Sequence, residues 1–217
     1  TKKPTDIPEA YDEYLKGRIE WKKRSRKSLE KAVKHLESAI KIDPKFALAY
    51  SGLADIYVVY PFWEIESPLT ALPKAKANAE KAISLDPNLA EAWNNLAFVE
   101  SQYFNWKQAK ENFQTAIEIN RNYPTAWHWR NAVLMRMGQT GDERSQCANK
   151  AYELDPKYAE LSSGMAHLHM DNEDYDKALW FMQNAYELSN EENKIYKTIT
   201  AEIYYRMNAP SKGIKII

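Results

Sequence analysis

Only one cysteine, Cys147, occurs in 217 residues, so no internal disulfide can form. A lone thiol fits a reducing, cytoplasmic compartment. Glycine is scarce too, with six residues, and none belongs to a Gly-rich phosphate loop; Gly138-Gln-Thr-Gly141 reads as an interhelical turn. No apolar run approaches the ~18 residues that a spanning helix needs. Neither sign of charge is in excess: Lys plus Arg and Asp plus Glu are 30 each, so no global field draws the chain to nucleic acid or membrane. What remains is 44% hydrophobic and 28% charged, the composition of a folded domain rather than a disordered tail. The polar start, Thr1-Lys-Lys-Pro-Thr-Asp-Ile-Pro8, and the end at Gly213-Ile-Lys-Ile-Ile217, inside an unfinished helix, lead us to expect a segment of a longer protein.

Five alanines organise the chain. Ala39, Ala82, Ala116, Ala151 and Ala185 lie at intervals of 82−39 = 43, 116−82 = 34, 151−116 = 35 and 185−151 = 34. The text around them recurs: Ala39-Ile-Lys-Ile-Asp-Pro44, Ala82-Ile-Ser-Leu-Asp-Pro87, Ala116-Ile-Glu-Ile-Asn-Arg121, Ala151-Tyr-Glu-Leu-Asp-Pro156 and Ala185-Tyr-Glu-Leu-Ser-Asn190. Proline cannot continue a helix and moves the preceding residue out of helical geometry, so each Asp-Pro ends a helix at a fixed place. Where Asn120 or Ser189-Asn190 replaces that pair, asparagine's tolerance of the left-handed conformation is expected to end the helix instead.

A period near 34 with this vocabulary resembles the tetratricopeptide repeat, a helix–turn–helix unit. Trp93, Leu96, Ala97, Ala109, Phe113 and Ala116 match its Trp–Leu–Gly opening and Ala–Phe–Ala closing, and Trp127 opens the next unit 34 residues later. The resemblance implies an all-α, right-handed superhelical solenoid of antiparallel helix pairs, A and B. A nine-residue extension (1–9) would precede units at about 10–46, 47–89, 90–123, 124–158 and 159–192, and a partial sixth at 193–217. The first unit carries Ala10-Tyr-Asp-Glu-Tyr-Leu-Lys-Gly-Arg18 and Trp21. It resembles arrays in bacterial signalling and transcriptional regulators, whose catalytic or DNA-reading domains are absent here.

Such an array implies a protein or peptide partner in a concave groove lined by helix A. Fixed offsets from the opening aromatics put Asp55, Asn94, Phe98, Gln102, His128, Met135, Ser163 and His167 on it. The pairs Ser51/Asp55, Asn94/Phe98 and His128/Ala132 lack the cations that a carboxylate clamp needs. An aromatic and methionine surface for adaptable contact is the expectation instead.

The 43-residue interval contains an insertion, Val58-Val-Tyr-Pro-Phe-Trp63-Glu-Ile-Glu-Ser-Pro68. It is expected to be buried, lengthening helix A ahead of a helix start at Leu72-Pro-Lys-Ala-Lys76. An exposed hot spot at Tyr60, Phe62 and Trp63 is the alternative. The basic run Lys22, Lys23, Arg24, Arg26, Lys27 and Lys31 reads as a solvated loop, since the aromatics of a single-strand binder are missing. His167 and His169 stand two apart, on different sides of a helix, and form no metal set. Cys147 reads as a packing residue. No cofactor, metal or catalytic constellation is expected. Self-association is expected if Ile214, Ile216 and Ile217 beside Tyr196, Ile199 and Ile203 form an uncapped end; a small-ligand sensor is a further alternative.

Overall fold

The computed structural model describes residues 4–189 and 194–214. Among the described residues the secondary structure is helical, with twelve α-helices. The chain divides at Asn120/Arg121 into two compact bodies. The first holds α1 (Pro8–Lys22), α2 (Arg26–Ile42), α3 (Ala47–Val59), α4 (Pro68–Leu85), α5 (Ala90–Gln102) and α6 (Trp106–Ile119). The second holds α7 (Pro124–Arg136), α8 (Asp142–Leu154), α9 (Ala159–Asp171), α10 (Tyr175–Leu188), α11 (Lys194–Arg206) and α12 (Pro210–Ile214). Each body is three hairpins of an A helix and a B helix, and α3, α5, α9 and α11 also pack on the B helix that precedes them. Ile216 and Ile217, invoked above for self-association, lie outside the described residues, as does Asn190.

Close approach of helices explains the alanines. Ala32, Ala39, Ala75, Ala79, Ala82, Ala109 and Ala116 have no exposed surface in the first body. Where even a methyl group is too large the chain uses glycine. A Cβ on Gly17 would stand 2.9 Å from Leu36 Cγ, and one on Gly52 would stand 3.1 Å from Leu36 Cδ1. Leu36, itself 1% exposed, is therefore a knob of α2 held between α1 and α3.

Three devices fix the turns. At B-to-A connections Asp43 and Asp86 take extended backbone before proline and Asp155 leaves the helical region at ψ 78°, and the Asp43 and Asp86 carboxylates accept bonds from the amides of Lys45 (2.9 Å) and Asn88 (3.0 Å). Asn120 does the same without proline. Its φ is −137°, so the extended form, not the left-handed one, ends α6. Next, the opening aromatic of helix A reaches back six residues. Tyr50 Oη donates to the Pro44 carbonyl (3.4 Å), Trp93 Nε1 to that of Pro87 (2.9 Å) and Trp127 Nε1 to that of Arg121 (2.9 Å).

The third device was invisible in the sequence. Every A-to-B turn contains a residue at positive φ near the end of helix A: Arg24 (47°), Glu64 (51°), Phe104 (62°), Gly138 (68°), Glu173 (58°) and Asn208 (56°); the α7/α8 turn has a second, Gly141 (101°). In five of these turns the next residue's amide bonds the carbonyl five positions back: Ile65 to Tyr60, Asn105 to Glu100, Gln139 to Leu134, Asp174 to His169 and Ala209 to Tyr204, all 2.9–3.1 Å. This is the Schellman ending of a helix. Its signature residue, glycine, appears once in six, which hides the motif from sequence reading.

Two expectations are corrected. The basic run is not a loop: only residues 23–25 connect α1 to α2. Ser25 Oγ accepts from the Ser28 amide (3.2 Å) and Ser28 Oγ from the Ser25 amide (3.0 Å), so α2 starts directly after the turn. Lys23 pairs with Glu20, and Arg24 lies 3.8 Å over the Trp21 ring. The insertion does not lengthen helix A either: α3 stops at Val59, a single 3-10 turn covers Tyr60–Trp63, and α4 begins at Pro68. Pro73 sits inside α4. The carbonyl it leaves without a donor belongs to Leu69, an 86% exposed residue where water can substitute.

The second body departs from the small-residue code. Where α5 and α6 use Leu96, Ala97 and Ala109, the hairpin α7/α8 uses Arg130, Asn131 and Arg144. Both arginines are buried. Arg130 Nη1 donates to Cys147 Sγ (3.1 Å) and Nη2 pairs with Glu143. Arg144 Nε donates to Asn131 Oδ1 (3.2 Å) and Nη1 pairs with Asp171. Cys147 is fully buried beside them, the packing thiol that the sequence suggested.

Gly17→Ala is expected to destabilise the chain by about 1–2 kcal/mol, because the clash with Leu36 outweighs the helix-propensity gain. Glu173→Gly is expected to stabilise it by about 0.5–1 kcal/mol by relieving positive φ. Urea unfolding midpoints of the two variants, displaced in opposite directions from wild type, check both.

Candidate functional site

Three inner residues of the first body are already committed to one another. Arg18 Nη1 of α1 pairs with Asp55 Oδ2 of α3 at 2.6 Å. Asn95 Nδ2 of α5 donates to Asp55 Oδ1 at 2.7 Å and to the Ser51 carbonyl at 3.3 Å. Asp55 is thus the centre of a bridge across three A helices. Asn94 and Phe98 are 5% exposed, and Gln102 is half-buried, its amide 3.4 Å from Ser101 Oγ. Tyr14, which belongs to the same face, has its phenol pushed up, chiefly by burial; Arg18 opposes that shift while Asp55 and Glu91 add to it.

The insertion splits in two. Tyr60 is 4% exposed and meets Tyr57 edge-on at 5.3 Å between ring centroids. Phe62 and Trp63 turn outward, at 70% and 39% exposure. The Phe62 ring stands 6.5 Å from that of Phe98, and Lys74 Nζ holds the Glu66 carboxylate at 2.8 Å at the base of the loop.

In the second body the structure brings four of the named residues together. His128 and Met135 on α7, with Ser163 and His167 on α9, line one notch of about 180 Å³. Asn131, Glu160 and Tyr196 complete its wall, and Gly164 floors it. The glycine matters locally, since a Cβ there would stand 3.6 Å from His128 Nδ1 and narrow the space. Met135 is 38% exposed at the rim and Glu160 is exposed at the start of α9.

The polar character of the notch follows from its bonds. His167 Nδ1 lies 2.8 Å from the Ser163 carbonyl. In neutral histidine that nitrogen must carry the proton and donate, which leaves Nε2 as an acceptor. Asn131 Oδ1 is taken by Arg144. The His128 imidazole is half-buried, and its pKa is pushed down to about 4, first by burial and then by neighbouring His167. No lysine or arginine lines the notch. It therefore presents the His167 Nε2 acceptor, the Asn131 Nδ2 donor, a carboxylate and a thioether. His169 is elsewhere, stacked on Phe181 at 5.3 Å and 3.5 Å from Asp174 Oδ2. Among the described residues no three His, Cys, Asp or Glu side chains converge as metal ligands.

A second cleft of about 390 Å³ lies between α10 and α11, with Trp180, Tyr186, Lys197 and Tyr204 on its walls. Sequence reading did not find it. Its residues belong to different helices with no shared spacing, so no local signal announces it.

A TPR repeat family model matches residues 23–58, from the first A-to-B turn through α2 into α3. No curated protein matches the sequence. Among solved structures, PilW, a widely conserved type IV pilus biogenesis factor, superposes with a TM-score of 0.74 at 16% identity, over 95% of this chain and 90% of its own. PilF of Pseudomonas aeruginosa gives 0.70 at 19% identity, over 96% and 89%. YrrB, a TPR protein with an unusual peptide-binding site, gives 0.53 at 23%, over 87% and 89%. The chain has the tetratricopeptide-repeat fold, built from helix hairpins of that kind. Proteins of this class are in general noncatalytic scaffolds that bind proteins or peptides. Among the described residues no helix is long and apolar enough to cross a membrane.

Because the fold holds His128 neutral down to about pH 4 while an unfolded histidine titrates near 6.5, the unfolded state binds the extra proton between those values. Stability from this residue is complete above about pH 6.5 and falls as the pH drops toward 4. Urea midpoints measured across that window are expected to fall less steeply in His128→Gln than in wild type.

Proposed function

We propose that this chain is a noncatalytic interaction module that binds a peptide or protein segment in the α7/α9 notch, as part of a larger bacterial regulator in the cytoplasm. The notch itself carries the reading: the helix A register brings His128, Met135, Ser163 and His167 around one space that the described residues leave open. Neighbours of the same fold, one from Pseudomonas aeruginosa and one with a peptide-binding site, support it, and the lone buried thiol suits a reducing compartment.

The chemistry of the notch describes the ligand. With Glu160, the His167 Nε2 acceptor and no cation, it repels a terminal carboxylate and suits a segment that supplies donors, such as an arginine or lysine side chain. Met135 gives the aliphatic stem an adaptable contact. Phe62 and Trp63 form the alternative surface, where an aromatic pair would concentrate affinity. A small-ligand sensor is the second reading, favoured by the aromatic cleft between α10 and α11.

Met135 and Glu160 are exposed, so their substitution leaves packing intact; Phe98 is not a fair test, since truncating a 5% exposed phenylalanine costs about 3–5 kcal/mol of core packing. Affinity capture from the source cells is expected to recover a partner with wild type and to lose it with Met135→Glu and with Glu160→Lys. A partner kept by both but lost with Phe62→Ser/Trp63→Ser moves the site to the insertion.

A further inference from the structure

Exposed apolar side chains collect at one edge of the first body. Its A helices α1, α3 and α5 lie side by side, each followed by an antiparallel partner, so their A-to-B turns fall at the same end. Side chains tie these turns together. The Phe62 ring stands 6.5 Å from that of Phe98, and Glu100 accepts from Lys76 Nζ of α4 (2.7 Å) and from Asn105 Nδ2 of the α5/α6 turn (2.6 Å). The Tyr60 phenol is pushed up chiefly by burial, with Glu66 of its own loop and Glu30 of α2 adding to the shift.

Three side chains at this edge project rather than pack. Phe62, Leu69 and Phe104 are 70%, 86% and 75% exposed, whereas a side chain lining a groove would be covered by the opposite wall. Trp63 and Tyr103 beside them are exposed as well. Phe104 holds left-handed backbone at φ 62°, a conformation that glycine occupies at lower cost. Its ring meets Trp106 edge-on at 5.4 Å and otherwise faces solvent, so packing does little to offset that strain.

Charge selects what covers the edge. The chain is neutral overall, yet the same turns expose Lys22, Arg24, Lys27 and Lys107, and among the described residues none of these four is paired with an acid. Glu64 is the one acid of these turns without a cation, since Lys74 holds Glu66. Two copies meeting edge to edge would set the cations against one another. A single-stranded nucleic acid would find no face to stack on at Leu69. An anionic bilayer meets both features, because its headgroups are negative and its interface accepts aromatic and aliphatic side chains.

We propose that the A-to-B edge of the first body is a peripheral membrane-binding surface: Phe62, Leu69 and Phe104 enter the interface of an anionic phospholipid bilayer while Lys22, Lys27 and Lys107 meet its headgroups. Local charge thus reverses the expectation drawn from net charge. This surface is distinct from the notch, which belongs to the second body, and stands whether or not the notch binds a peptide.

Co-sedimentation of the full chain with phosphatidylcholine vesicles, with and without phosphatidylglycerol, tests it. Wild type is expected to bind the phosphatidylglycerol vesicles, less tightly as salt rises, and to bind phosphatidylcholine alone about ten-fold more weakly. Phe62→Ser/Phe104→Gly is expected to lower vesicle affinity about ten-fold at unchanged charge. Glycine at 104 relieves the left-handed strain, so a urea midpoint at or above that of wild type shows that the loss is not unfolding. Lys22→Glu/Lys27→Glu is expected to abolish the preference for phosphatidylglycerol. Met135→Glu, which tests the notch, leaves vesicle binding intact and keeps the two readings apart. A wild-type chain that ignores both kinds of vesicle overturns the proposal, as does binding that survives Phe62→Ser/Phe104→Gly. Vesicles ignored by wild type while Phe62→Ser/Trp63→Ser loses a captured protein would give the edge to a protein partner instead.

Discussion

The structure depends on how closely two helices can approach. Gly17 and Gly52 let Leu36 enter from both sides, and the fully buried alanines do the same at other hairpins. Every ångström of approach removes apolar surface from water and brings side chains into van der Waals contact across the interface. The cost is intolerance, because a close-packed joint cannot accept even one extra methyl group where its Cβ would stand 2.9 Å from a buried carbon.

Tight hairpins require tight turns. Outside the insertion, a left-handed residue reverses the chain in three to five residues, and the Schellman bond satisfies a helix-end carbonyl as it does so. The chain accepts a strained φ at Arg24, Glu64, Phe104 and Glu173 rather than using glycine. The opening aromatics complete the frame at the other end by binding the turn that precedes them.

Packing that holds the A helices in register also decides which inner residues remain available. In the first body Arg18, Asp55 and Asn95 satisfy one another, so that face is cross-braced. In the second, α7 and α9 meet over Gly164 and leave a space. The same hairpin carries a polar interior, with Arg130 and Arg144 paired to Glu143 and Asp171 beside the notch. Burying two guanidinium groups is rarely a gain in stability over apolar residues of similar size. The pairs do fix side-chain geometry: Arg144 holds Asn131 Oδ1, one wall of the notch.

Periodicity made the architecture legible. Ala39, Ala82, Ala116, Ala151 and Ala185, with the Asp-Pro pairs behind three of them, already determine where helices stop and which faces must be small, because these are local steric facts repeated along the chain. Fixed offsets from the opening aromatics place groove positions along helix A but are silent about their availability. Asn94 and His128 occupy equivalent places, yet one is 5% exposed and the other lines an open notch. For His128 that availability depends on neighbours brought in by other helices, Gly164 of α9 and Tyr196 of α11. Likewise Tyr60 and Phe62 differ by two letters and point in opposite directions, because a 3-10 turn whose length no composition reveals rotates one inward. Sequence alone determined the repeat, its period and the ends of the three B helices that run into Asp-Pro. Only the tertiary structure decided which polar residues were spent on bracing and which were left to meet a partner, since hydrogen-bond satisfaction and burial are properties of side chains brought together from distant positions.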